Sequence, residues 1–184
     1  MKIIAFTGRK GHGKDSAAVP ILEIRQPKSL LKVWTRVNFG DLVTEVCMLV
    51  FDLTAEEVYD SLVKETKLVK YPFETPRSIM QKVGTDLFRS EWPNVWVEAW
   101  EREAVKHSYV VVTDLRFLNE YNMIKHYWGT VVRIHRHGVN DSDEHKSETE
   151  MDSFDANNTI VNDSSFEALE KKVLEIPVVK ETIT

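Results

Sequence analysis

The strongest constraint on what this chain can fold into sits at its beginning. Ile3-Ile4-Ala5-Phe6 is a short continuous apolar run, and Gly8, Gly11, Gly13 and Lys14 follow at once. A strand buried on both faces reads this way when it ends in a tight loop. The loop, Gly8-Arg9-Lys10-Gly11-His12-Gly13-Lys14, has the spacing G-x-x-x-x-G-K of a phosphate-binding loop. Its chemistry is one of backbone access. Glycines let successive N–H groups turn toward anionic oxygens, the following helix N-terminus adds its positive dipole end, and Lys14 supplies a point charge. Asp15 stands where a Ser or Thr ordinarily ligates magnesium, and the hydroxyl comes one residue later, at Ser16. Asp15 can approach a metal, a water or an acceptor phosphate, or it can complement the helix dipole. The sequence leaves these readings side by side.

Beyond the loop the chain alternates. Tyr109–Val112, Thr130–Ile134 and the shorter Thr159–Val161 read as further strands. Helical patterns run over Leu42–Phe51, Thr54–Val63, Ser78–Phe88, Asn94–Val105, Phe117–Tyr127 and Phe166–Leu174, the second opened by the capping pair Thr54 and Glu57. Strand and helix in alternation predict an α/β fold, a parallel sheet with helices on both faces, and 184 residues suit one domain. Pro20 should kink or end the helix after the loop. Asp141–Asp155 holds seven acids, one lysine and no apolar periodicity, the pattern of a surface loop.

Composition works by exclusion. Lys plus Arg number 24 against 29 Asp plus Glu, a net charge of −5, which argues against binding polymeric nucleic acid by bulk charge. The balance is uneven, since residues 1–36 carry eight bases (Lys2, Arg9, Lys10, Lys14, Arg25, Lys28, Lys32, Arg36) against two acids (Asp15, Glu23). The lone Cys47, in an apolar stretch, excludes a disulfide framework and reads as a buried thiol. No run approaches the roughly 18 apolar residues of a membrane span, and the first residues meet glycine too early for a signal peptide. The expected setting is cytoplasmic, with no membrane partner.

Three further constellations carry chemistry. Val111-Val112-Thr113-Asp114 ends a buried strand in a carboxylate, placed to reach magnesium directly or through water; the alternative is an N-cap for a helix starting near Leu115. Arg116 should lie near the same sheet edge, where ligands bind in open α/β folds. Residues 75–89 set Arg77 and Gln81, with Lys82 and Asp86, on neighbouring helical turns, suited to a phosphate and a base edge or to an ordinary polar face. Trp92, Trp96 and Trp100 fall at helical spacing, a stripe more typical of core than of base stacking. Arg133, His135, Arg136 and His137 crowd the end of the third predicted strand. Strand alternation sends Arg133 and His135 to one face and Arg136 to the other.

Taken in order, Gly13-Lys14-Asp15-Ser16, Pro76-Arg77 leading into Met80-Gln81-Lys82-Val83-Gly84-Thr85-Asp86, Trp96-Val97, Asp114-Leu115-Arg116-Phe117 with Asn119-Glu120, and His145-Lys146-Ser147-Glu148 resemble the bacteriophage-type deoxynucleoside monophosphate kinases. The resemblance runs nearly the full length. It implies an adenylate-kinase-like P-loop NTPase fold of three layers, spanning 1–184 as a single kinase domain. An acceptor-binding helical insert at about 41–107 and a lid-like loop at about 136–156 would belong to it. It also implies ATP and Mg2+ as cofactors, a dNMP as the small-molecule partner, a homodimer, and host cytoplasm if the chain is phage-encoded. Carried over by position, Gly8, Arg9, Lys10, Gly11, His12, Gly13, Lys14, Asp15 and Ser16 would hold the donor phosphates, with Ser16 and Asp114 toward the metal. Arg77, Gln81, Asp86, Arg89, Trp96 and Glu148 would meet the acceptor. Lys14, Asp15, Arg116 and Arg136 would act on the transferring group. Thr44 stands where a lysine is expected after the second strand, and the lid carries acids where arginines are expected. Another small-molecule P-loop kinase, such as one acting on dephospho-coenzyme A, is the alternative enzyme. A nucleotide-binding switch is the alternative class, against which no N-K-x-D motif is present.

Overall fold

A computed structural model describes residues 1–24, 33–72, 74–139 and 150–183. Five strands form one parallel sheet in the order β2-β3-β1-β4-β5: β1 Lys2–Thr7, β2 Trp34–Arg36, β3 Tyr109–Leu115, β4 Thr130–His135 and β5 Asn158–Val161. The central β1 has neighbours on both sides and is buried from Ile3 through Thr7, which is why its sequence is apolar without alternation.

The helices, in chain order, are α1 Lys14–Leu22, α2 Asp41–Phe51, α3 Ala55–Tyr59, α4 Pro76–Gln81, α5 Val95–Ala104, α6 Leu118–His126, α7 Phe166–Leu174 and α8 Pro177–Ile183. Ile4, Phe6, Val111, Val132, Ile134 and Ile160 pack with Ala17, Ala18 and Ile21 of α1 and Leu169 and Val173 of α7. On the opposite face, α6 brings its buried Ile124 to Gly129, whose missing Cβ leaves room beside Ile3. The α/β expectation therefore holds, with helices on both faces.

The chain divides into two compact units, residues 1–38 with 101–184, and residues 39–100. The first contains the sheet. The second is helical, with a core of Val43, Cys47, Leu53, Val58, Leu68, Ile79, Val83 and Trp96. Cys47 is fully buried there, and burial pushes its thiol up to about 11, as an inert structural cysteine requires.

Differences from the sequence expectation have local causes. No sequence pattern marks β2: it is three residues long, with only Trp34 buried, so it shows neither an apolar run nor a full alternation. It is anchored by the Trp34 indole, which donates to Thr182 Oγ1 of α8 at 3.2 Å and meets Tyr109 edge-on. Helix α3 stops at Tyr59 because Asp60 turns extended, and its carboxylate accepts from the N–H groups of Leu62 and Val63. Its opening is as expected, with Thr54 and Glu57 capping each other reciprocally. Helix α1 contains Pro20 and ends two residues later, in keeping with the lost N–H. No helix among the described residues is long and apolar enough to cross a membrane.

Candidate active site at the ends of β1 and β3

The glycine loop leaves β1 and returns as α1, and two glycines make that path feasible. Gly8 has φ +139, and a Cβ there would stand 2.3 Å from the Ile134 carbonyl oxygen of β4. Gly13 has φ +95, and a Cβ there would stand 2.4 Å from Asn162 Nδ2. Any other residue would be strained and in collision at both positions. Within the loop, His12 N–H donates to Arg9 O at 3.3 Å, and His12 is buried, its Nδ1 donating to Ile134 O at 3.2 Å.

Lys14 opens α1 and is only 7% exposed. Its ammonium donates to Gly8 O at 2.5 Å and to Arg9 O at 2.9 Å, so it lies folded over the loop. Burial first and neighbouring Arg116 second push its pKa down to about 7, while Asp15 and Asp114 work in the opposite direction. Four charged groups expected from sequence to share a site are thus in electrostatic contact.

The end of β3 explains how they come together. Ala5 pairs with Val112 and Thr7 with Leu115, so Thr113 and Asp114 stand opposite Phe6 alone. Such a bulge re-aims side chains at a strand end. Thr113 Oγ1 donates to Asp15 Oδ1 at 2.7 Å, and Thr113 N–H donates to Asn38 Oδ1 at 2.8 Å. Asp15 is therefore held by the sheet. Helix α6 begins only at Leu118, and Asp114 lies inside the strand, which corrects its reading as an N-cap. Instead the buried Glu120 accepts from the N–H groups of Arg116 and Phe117, at 2.9 and 3.0 Å, fixing the backbone that carries Arg116. Asp15, Asp114 and the exposed Ser16 offer oxygen donors only. Among the described residues no group of three His, Cys, Asp or Glu side chains could hold a metal by itself. Oxygen donors suit magnesium, which is held by one or two carboxylates together with substrate phosphates and water.

The remaining cations separate. Arg133 spends its guanidinium on the carbonyls of Met151, Asp152 and Phe154, so it holds the turn Glu150–Ser153. Arg9 pairs with Asp152 at 2.6 Å, and Lys10 and Arg136 are exposed. His135 packs edge-on between His12 and His137, and His137 is bound to Asp163. His145, Ser147 and Glu148 lie outside the described residues.

In the helical unit, Thr75 and Ser78 cap each other and Pro76 occupies the first turn, so α4 starts sharply and carries Arg77 and Gln81. From Lys82 to Arg89 it continues as a π-helix. An i to i+5 repeat brings Asp86 under Gln81, where a regular α-helix would have turned it away. Sequence spacing gave no sign of this. Arg77 pairs with Glu65, and Gln81 and Arg89 are half-buried. Thr44, in the place of the expected lysine, is buried and donates to the carbonyl of Gly40, the N-cap of α2. Trp96 requires a correction. It is 2% exposed, its indole donates to Gly84 O at 2.8 Å and its ring packs on Phe88. With its faces taken up by core, Trp96 supports the helix that carries Gln81 rather than touching a ligand. Trp92 precedes α5 and is exposed, so the tryptophan stripe reduces to Trp96 and Trp100.

Comparison with known proteins places this geometry in context. The family model described as "Deoxynucleotide monophosphate kinase" matches residues 48–173, a span that begins after the glycine loop. A protein of Acanthamoeba polyphaga mimivirus named "Putative deoxynucleotide monophosphate kinase" is 29% identical over 190 residues, covering 95% of each chain.

Proposed function

The chain belongs to the deoxynucleotide monophosphate kinase family, and we propose on that premise that it transfers the γ-phosphoryl group of ATP to a deoxynucleoside monophosphate, releasing ADP and a dNDP. The observation that carries the reaction is the buried Lys14 ammonium, folded over the glycine loop within the electrostatic reach of Arg116, Asp15 and Asp114. A cation held out of water at that cost is matched to a polyanion.

In this reading the backbone from Gly8 to Ser16 cradles the donor phosphates, and Lys14 leaves the Gly8 and Arg9 carbonyls for the β- and γ-phosphates. Magnesium, when bound beside Asp15, Ser16 and Asp114, neutralises charge on the donor phosphates. An acceptor phosphate oxygen, already ionised at neutral pH, forms the new bond to the γ-phosphorus. The bond to the β–γ bridging oxygen breaks, and ADP leaves with that electron pair. No general base is needed. Arg116 and Arg136 stabilise the transferring group, while Arg77, Gln81, Asp86, Arg89 and Glu148 recognise the acceptor, with Trp96 holding their helix from within. A homodimer in the host cytoplasm belongs to the same reading; light scattering at micromolar concentration tests the dimer.

A coupled ADP-release assay with ATP, magnesium and a panel of dNMPs, NMPs and dephospho-coenzyme A tests the acceptor. Release should depend on a dNMP. Release driven only by dephospho-coenzyme A, or independent of any acceptor, would contradict the proposal.

A further inference from the structure

Asn162 follows β5 directly, in the sheet-bearing unit, and no sequence motif singles it out. It is 7% exposed. Its N–H donates to His135 O at 2.7 Å, and its Nδ2 donates to His12 O at 2.9 Å. The side chain therefore spans from the end of the sheet to one peptide of the glycine loop, the one joining His12 to Gly13. The same Nδ2 occupies the space a Cβ on Gly13 would need.

That peptide is trans, so its C=O and N–H point in opposite directions. With the His12 carbonyl held toward Asn162, the Gly13 N–H is turned away from it. Among the described residues nothing accepts from that N–H. A peptide flanked by glycine has little preference of its own for either orientation, because Gly13 tolerates both signs of φ. An outside anchor must set it. Asn162 is suited to this: its amide reaches the carbonyl and, unlike a carboxylate, adds no negative charge beside a polyphosphate.

We propose that Asn162 is a positioning residue for the donor-phosphate loop, fixing the Gly13 N–H in the direction that meets a phosphate oxygen. The inference rests on the donor-loop reading above and extends it to a residue outside the loop. Losing one charge-assisted hydrogen bond to phosphate should weaken binding roughly tenfold.

The probe is tripolyphosphate, which reports the loop without turnover. The chain has 7 glycines, so selective 15N-glycine labelling gives a spectrum in which Gly13 can be followed. In the wild type the Gly13 amide should move on titration. In Asn162→Ala the affinity should fall roughly tenfold, the Gly13 response should be lost, KM for ATP should rise, and KM for the dNMP should stay within about twofold. A folded Asn162→Ala or Asn162→Asp protein with wild-type tripolyphosphate affinity would overturn the proposal. So would a wild-type Gly13 amide unmoved at saturation, a result that needs no variant to fold. Absence of turnover with every acceptor would instead count against the kinase reading, leaving the tripolyphosphate titration to judge Asn162.

Discussion

At Lys14 the cost of burying an ammonium and the use of one are the same fact. Desolvation and Arg116 lower its pKa to about 7 from an ordinary value of 10.5. Between these values the unfolded chain holds a proton that the folded, ligand-free chain has released, so stability rises with pH across that window. Lys14→Met should therefore stabilise the protein more at pH 6.5 than at pH 9, measured by urea midpoints; a difference that does not change with pH would contradict the assignment. The same linkage predicts that tripolyphosphate binding at pH 8.5 takes up close to one proton, seen by calorimetry in buffers of different ionisation enthalpy. For catalysis, Lys14→Ala should cost more than about 100-fold in kcat. Arg77→Ala should chiefly raise the acceptor KM, and equal KM with a lost kcat would move Arg77 to the transition state. The residues of the loop were legible in the sequence because glycine spacing is itself the chemistry. Thr113, Asn38 and Asn162 were not, because each acts through hydrogen bonds to residues far away in sequence.

Among the elements, the strands that face core on both sides were legible as apolar runs, and helices with capping pairs announced their starts. What remained hidden depends on partners. β2 is a strand only because Trp34 reaches α8 and its backbone pairs with β3. The β3 bulge and the π-helical continuation of α4 leave no periodic mark, yet each re-aims a side chain proposed to act: Asp114 in one case, Asp86 in the other. Trp96 ties α5 to that π-helix through Gly84 O. Trp96→Phe removes the indole hydrogen bond to this buried carbonyl and opens space in the core, which should cost about 1–3 kcal/mol. A thermal melt should then fall by several degrees, while the ring contact with Phe88 keeps the unit folded; an unchanged melting temperature would remove Trp96 from its supporting role.

For the molecule as a whole, the uneven charge has acquired partners. Of the eight N-terminal bases, Arg9, Lys10 and Lys14 sit in the loop, Lys2 pairs with Glu181 of α8 and Arg36 is exposed on β2, while Arg25, Lys28 and Lys32 lie outside the described residues. Part of the acidic segment is accounted for as well: Asp152 holds Arg9, and Glu150 accepts from Leu118 N–H at the start of α6. These two acids are attached to the loop and to the start of the helix after Arg116; Asp141, Asp143, Glu144 and Glu148 lie outside the described residues. Asp152→Asn should release Arg9 and tighten tripolyphosphate binding about two- to threefold, as a surface ion pair of less than about 1 kcal/mol allows. The central claim is that the γ-phosphoryl group ends on a deoxynucleotide. Phosphorus NMR of the protein with ATP, magnesium and a dNMP measures this directly. The account predicts dNDP and ADP resonances growing in equal amounts with no orthophosphate; orthophosphate appearing with ADP while the dNMP signal stays constant would contradict it.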